Sequence, residues 1–526
     1  MVDTAGDVSL SPFGNESCLS TAYGAPGSPE GLQVLTHYQD RLVFLHPYVQ
    51  QYAWGKRGSE SLVANLAAAT GHPVDRSKPY AELWMGYHPS GLCSVVGPNT
   101  PIDRFLEHNR EFLGDIGRGG RVHLPFLMKV LSVAMPLSIQ AHPDKGLAER
   151  LHREHPHMYK DGNHKPEMAI ALTPFEALGG FRPAAQILTH VQQVPELRAV
   201  LGEACAASVE HRLTHGGPEQ GGSALREFFE GLMRCDVSVM AAQLDRLVDR
   251  LRRLRDSGSM ESEPLKQVYS LALVLSEHFP GDVGVFAAFF LNHIKLNPGE
   301  AMFIGPNTLH AYLKGECIEC MANSDNVVRG GLTPKHKDVD LLCRMLWYDK
   351  CGVEVITPSY VDEPSGLMLY RPPVSDFEVY RLVLPKGREI HRIFSATGPT
   401  IGIVLQGNAR AATTPAPSRH PSRRSSPPAT PPKHSSLPGA THTPTPSPSV
   451  QLQPAVSPNG SNALPGQCIN AGGVLMVRAG TALRLINTGD GCGGGGGGDL
   501  VVFFVCCQEG FTDEGSLPVA AEMAGA

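Results

Sequence analysis

The stretch LSIQAHPDKGLAERL, residues 137 to 151, sets an amide and an imidazole two positions apart on an extended run that a proline then ends. Alternate residues of a strand face the same way, so Gln140 and His142 converge on one point with about 7 Å of strand between them. Ser138 shares that face. A second pair, Lys165 and Glu167, stands two apart in DGNHKPEMAIAL, just before an apolar run in which a buried carboxylate needs a partner. His310, in GPNTLHAYL, adds a nitrogen donor where a turn gives way to a strand. Two imidazoles with carboxylate and amide oxygens make a borderline-hard donor set that suits zinc, with a position left for water or substrate. Each of these side chains alone is more often a hydrogen-bonded core or loop group. The segments lie far apart in the chain, so spacing carries the reading as far as a metal site on a β scaffold and no further.

Cys317 and Cys320, in YLKGECIECMA, have the spacing of a metal knuckle or a redox dithiol. A structural zinc site needs two further soft ligands at short range, and none follows. The segment reads better as a strand with one thiol facing in and one out. The glycine run ending at Gly498 lacks the lysine and helix of a phosphate cradle and is a loop.

The elements that must hold these residues change character along the chain. From residue 41 to about 183 short β-like runs such as PFLMKVLSV and EMAIALT alternate with brief helices. One helix follows Pro143: Asp144 caps it, Leu147 and Leu151 share a face, and Pro156 lies past its end. Between 184 and 290 the period becomes helical, with Leu244, Leu247, Val248 and Leu251 at i, i+3, i+4 and i+7. From 291 to 348 it returns to two, and IKLNPGEAMFIGPNTLHAYLKGECIECM alternates short strands with Pro-Gly, Gly-Pro-Asn and Lys-Gly turns, the pattern of an antiparallel barrel or jelly roll. Residues 349 to 510 repeat that character, interrupted at 409 to 466 by a Pro/Ser/Thr-rich insert too poor in apolar residues to order itself. The expected architecture is mainly β: two cupin-like barrels or jelly rolls and an inserted helical domain, flanked by an N-terminal extension (1 to 40) and a C-terminal tail (511 to 526).

Composition excludes several function classes. A net charge of -6 gives no basic footprint for nucleic acid. No run of about 18 apolar residues is present to span a membrane. The first forty residues have neither a basic start nor an apolar stretch, which argues against a signal peptide and for the cytosol. Twelve irregularly spaced cysteines are no disulfide framework in a chain of 526 residues.

The segments YAWGKRGSESLVA, PYAELWMGYHPSG, LPFLMKVLSVAMPLSIQAHPDKGLAERLH, DGNHKPEMAIALTPFEALGGFRP and LNPGEAMFIGPNTLHAYLKGECIECMANSDNVVRGGLTPKHKDV together resemble the type I mannose-6-phosphate isomerase family, in family order over residues 41 to 345. The resemblance implies one zinc ion per chain held by Gln140, His142, Glu167 and His310. It implies a cytoplasmic enzyme, expected to be a monomer, that interconverts mannose 6-phosphate and fructose 6-phosphate and so supplies GDP-mannose synthesis. A proton must move between C1 and C2 of the open sugar through a cis-enediolate, so the site needs an electrophile and a base. Zinc supplies the first. For the second, His164 and Lys165 beside Glu167, and Asp325 in ANSDNVVRGG, stand as alternatives. Arg329 matches the family residue usually given as catalytic; a guanidinium accepts no proton, so its task is to stabilise the enediolate or the phosphate, with Lys335 a second cation. Trp54, Glu319, Tyr312 and Ser138 are implied to wall the sugar pocket. Departures from the family pattern are Leu309 before His310, Gly330 after Arg329, and Tyr87 before His88; none removes a ligand.

Two rival readings share the barrel. An Fe(II) cupin oxygenase favours two histidines and one carboxylate, and a glutamine ligand beside Lys and Arg suits it poorly; oxygen uptake separates the two. A non-enzymatic sugar-binding bicupin would need neither Lys165 nor Arg329.

Overall fold

The computed structural model describes residues 40–120, 122–215, 220–262, 264–349, 352–415, 466–489 and 498–509. The expected N-terminal extension, the C-terminal tail and most of the glycine run lie outside them.

Strands that carry the site are β1 (Phe126–Val133), β2 (Ile139–Ala141), β3 (Glu167–Ala171), β4 (His310–Ala322) and β5 (Val328–Gly331). They belong to an eleven-stranded sheet system in which β4 is shared by two layers. Its second half, from Gly315 onward, lies between β1 and β3; its first half pairs with Phe175–Phe181 and, through His310, with β2. Gly315 stands at the junction with φ of 112°, and a Cβ there would meet the Pro174 carbonyl oxygen at 2.6 Å. Only glycine turns this corner without strain. Between the two layers packs a small core that includes Leu131, Ala169, Phe175, Met302 and Cys317. The antiparallel layers carry the expected cupin character, although no ladder among the described residues closes them into a barrel.

A second, nine-stranded sheet faces the first across a core that joins Met128, Met168 and Ile318 to Ile401, Met476 and Phe503. A four-stranded sheet covers its far side through Leu382, Leu475 and Leu485. Sheets covered on both faces need apolar side chains on both, so Cys317 and Cys320 are each fully buried rather than one in and one out. The helices from Ala184–Gln193 to Gly284–Ala287 form a third unit, whose core reaches Ile139, Leu309 and Val328 beneath the site strands. Asp144 caps the helix Lys145–Glu154 by accepting from the Leu147 amide at 2.9 Å.

Strand pairing crosses the boundaries drawn from the sequence. Leu42–His46 pairs with Val474–Val477 in the nine-stranded sheet, while Glu354–Ile356 pairs with Ala301–Ile304 in the eleven-stranded one. Backbone groups at an edge take partners by position in space, which a change of period along the chain does not encode. The insert also begins later than 409: Asn408–Pro415 is a strand, with Ala409 and Ala411 buried, paired with Thr481–Asn487 and with Gln467–Asn470. Its alternating small residues are a weak apolar signal in the sequence. Residues 416–465 lie outside the described part.

Candidate metal centre and substrate cavity

His142, Glu167 and His310 bring one donor atom each to within 4.8 Å of the others, and all three are buried. Glu167 opens β3, His310 opens β4, and His142 lies one residue past β2, so three antiparallel strand ends converge. Each histidine is turned by its other nitrogen. His142 Nδ1 lies 2.6 Å from the Asn326 carbonyl oxygen and His310 Nδ1 3.1 Å from that of Thr308. A ring that donates through Nδ1 presents a lone pair at Nε2. The two Nε2 atoms then face the Glu167 oxygens at 3.3 and 3.2 Å, acceptor against acceptor. Among the described residues, His142 Nε2 and Glu167 Oε2 are buried without a hydrogen-bond partner. Such a cluster of lone pairs fits a cation.

The charge states suit that cation. Burial lowers the His142 pKa to about 4, against the pull of Glu167, so the ring is neutral near pH 7. Burial raises the Glu167 pKa, but the positive charge of Lys165 at 3.2 Å outweighs it and holds the carboxyl well below its usual range. Gln140 stands opposite His310 in the strand register, its Nε2 3.4 Å from His310 Nε2. Oxygen ligation by this residue requires the amide to turn about its last, broad torsion.

A cavity of about 630 Å³ opens beside the cluster. Gln140, Glu167, Lys165, Ser138, Arg329 and Lys335 all line it, as do Trp54, Glu319, Tyr312 and Asp325. Arg329 is the register partner of Gln140 on β5, and both line the same cavity. Neither Arg329 nor Lys335 has a carboxylate within ion-pair distance among the described residues. Burial lowers the Arg329 pKa from its usual value, yet an arginine remains a cation. His164 does not line this cavity. Adjacent residues of an extended chain point opposite ways; Lys165 faces the cavity, so His164 turns to Asp376 of the second sheet unit, 3.1 Å away.

Several cavity residues were not foreseen. Lys129 is 2.9 Å from Glu319 and 3.5 Å from Glu82, and its ammonium lies 5.1 Å from the Trp84 ring centre. Burial disfavours this charge, but Glu319 and Glu82 outweigh it and raise the lysine above its ordinary range. His88 meets Asp325 at 3.5 Å. The signal was present for Lys129 and Glu82, each a charge inside an apolar strand that must find a partner. A third group sits behind the metal cluster: Asp161 accepts from the Asp325 amide and the Ser324 hydroxyl at 2.8 Å each, and from the Asn326 side chain at 3.2 Å, fixing the loop whose carbonyl turns His142.

Comparison with known proteins agrees with this geometry. Residues 42–184 match phosphomannose isomerase type I, catalytic domain, and residues 200–291 match phosphomannose isomerase type I, helical insertion domain. Mannose-6-phosphate isomerase of Homo sapiens is 42% identical over 376 residues, 69% of this chain and 87% of that protein. Mannose-6-phosphate isomerase 1 of Arabidopsis thaliana is 44% identical over 381 residues, 71% of this chain and 86% of that protein. A crystal structure of mannose 6-phosphate isomerase from Salmonella typhimurium, bound to fructose 6-phosphate and zinc, superposes with a TM-score of 0.62 at 26% identity, covering 89% of this chain and 100% of that one. The shared sheets, the inserted helices and identity over most of each relative leave one assignment: the chain belongs to the type I phosphomannose isomerase family.

Proposed function

We propose that this protein interconverts mannose 6-phosphate and fructose 6-phosphate with one zinc ion held by His142, Glu167 and His310 and, after its amide turns, Gln140. The observation that carries the reading is the placement of buried donor atoms beside a cavity lined by two cations, neither set having a partner among the described residues. When bound, zinc supplies Lewis-acid polarisation of the sugar oxygens. The relative crystallised with zinc and fructose 6-phosphate supports both choices.

The chain's own residues divide the remaining work. Arg329 and Lys335 hold the phosphate dianion or the charge that develops as the proton leaves C2, a task for fixed cations. Lys165 is engaged by Glu167 and acts as a cation beside it. Trp54, Tyr312 and Ser138 exclude water and set the pose of the open sugar. Asp325, with His88 behind it, is the carboxylate we assign to moving the proton between C1 and C2 through a cis-enediolate; Glu319 and Glu82 are committed to Lys129. The product on the aldose side is the precursor required for GDP-mannose.

A coupled assay of mannose 6-phosphate conversion, run before and after chelation and again with zinc restored, tests the reading. Activity is expected to vanish with chelator and return with zinc; activity indifferent to both would overturn it.

A further inference from the structure

The loop Leu332, Thr333, Pro334 and Lys335 forms part of the cavity wall. Its backbone is not at rest on local preferences. Leu332 has φ of 51°, a left-handed conformation that a branched-chain residue adopts only when its surroundings impose it. The group that imposes it comes from the helical unit, fifty positions earlier in the sequence. Asp282 Oδ1 accepts the amides of Leu332 at 2.6 Å and Gly284 at 2.7 Å, and Oδ2 accepts that of Thr333 at 3.3 Å. Lys337 Nζ lies 3.6 Å from Oδ2. Thr333 in turn accepts the Lys335 amide on its hydroxyl at 3.1 Å. The two segments touch so closely that a Cβ on Gly284 would meet the Leu332 nitrogen at 2.5 Å, and one on Gly331 would meet Gly284 Cα at 2.7 Å. Asp282 is itself absent from the cavity lining, whereas Phe279, three residues before it, is part of that wall.

We infer that Asp282 is a positioning residue: its carboxylate, borne by the helical unit, sets the loop that aims Lys335 and follows Arg329, and thereby fixes the phosphate end of the substrate cavity. This rests on the isomerase reading above. It also gives the inserted helices a task at the site, since a carboxylate that accepts main-chain amides holds a loop by charge-assisted bonds that side-chain packing alone would not provide.

Asp282→Asn keeps the shape and replaces Oδ2 with an amide that repels the Thr333 N–H and Lys337; Asp282→Ala removes both acceptors. In the full-length, zinc-loaded protein three readouts are compared with the parent: steady-state kinetics with mannose 6-phosphate, inhibition by inorganic phosphate, and hydrogen exchange over residues 329 to 337. For Asp282→Asn, KM and the phosphate inhibition constant are expected to rise together by about tenfold with kcat within about threefold of the parent. Zinc content is expected to hold, and the Leu332 and Thr333 amides to exchange faster. Unchanged exchange, or a lower kcat at unchanged KM and phosphate inhibition, overturns the inference. If the parent fails to turn over mannose 6-phosphate, the isomerase reading falls by itself. Binding of inorganic phosphate to parent and variant then decides the role of Asp282, with equal binding counting against it. If the alanine variant does not fold, the asparagine variant carries the test.

Discussion

Lys129 and Glu319 stand opposite one another on neighbouring antiparallel strands and close an ion pair of 2.9 Å in the wall of the cavity, each less than a tenth exposed. Glu82 reaches the same ammonium from the strand on the other side. Three charges have been taken out of water here, and each is tolerable only while the others remain.

Lys129→Met therefore leaves two carboxylates buried together. Urea unfolding should show a loss of about 3–5 kcal/mol, the usual consequence of removing one partner from a buried pair. The double change Lys129→Met with Glu319→Gln should recover part of it. A single variant within about 1 kcal/mol of the parent would mean that water reaches this cluster.

Stability of the metal-stripped protein should depend on pH through His142. Its pKa in the folded chain, about 4, lies below the ordinary 6.5, so between these values the unfolded chain binds a proton that the folded one refuses. Stability should thus fall as the pH drops through that window, by about 3 kcal/mol for this group, and be unaffected by it above pH 7. Unfolding of parent and His142→Asn at pH 7, 6 and 5 measures this. Parallel pH curves for the two proteins would dismiss it.

Asp161 has no hydrogen bond to a proposed ligand among the described residues, yet it fixes the Asn326 loop whose carbonyl orients His142. Asp161→Asn should weaken zinc binding by about 10–100-fold, as losses of outer supports to metal ligands do. Competition against a chromogenic chelator reads the affinity directly, without substrate. An affinity equal to that of the parent would show that the ring is oriented by other contacts.

Much of the centre was legible because its residues obey short-range rules. The two-residue spacing of Gln140 and His142, and the carboxylate of Glu167 before an apolar run, are properties of a strand and of buried charge. Their meeting is not. It depends on β4 passing from one layer to another at Gly315, a long-range arrangement that only the family resemblance supplied. The same rule that marks Glu167 applies to Lys129 and Glu82, each a charge inside an apolar strand. His164 failed for the converse reason: adjacency in sequence places a side chain on the opposite face of an extended segment, toward Asp376. Asp161 and Asp282 left no mark at all, since a carboxylate that caps a distant loop looks like any other surface acid until its partners are known. Strand boundaries followed the same logic. Alternating alanines at 409 and 411 are as compatible with a loose insert as with the covered face of a ladder.

Asn408–Pro415 and Gln467–Asn470 are hydrogen-bonded neighbours, with Ala411 opposite Gln467. Whatever joins them must therefore depart from and come back to a single rim of the small sheet. The spacing of these two strand ends is thus set by the hydrogen bonds of the ladder itself.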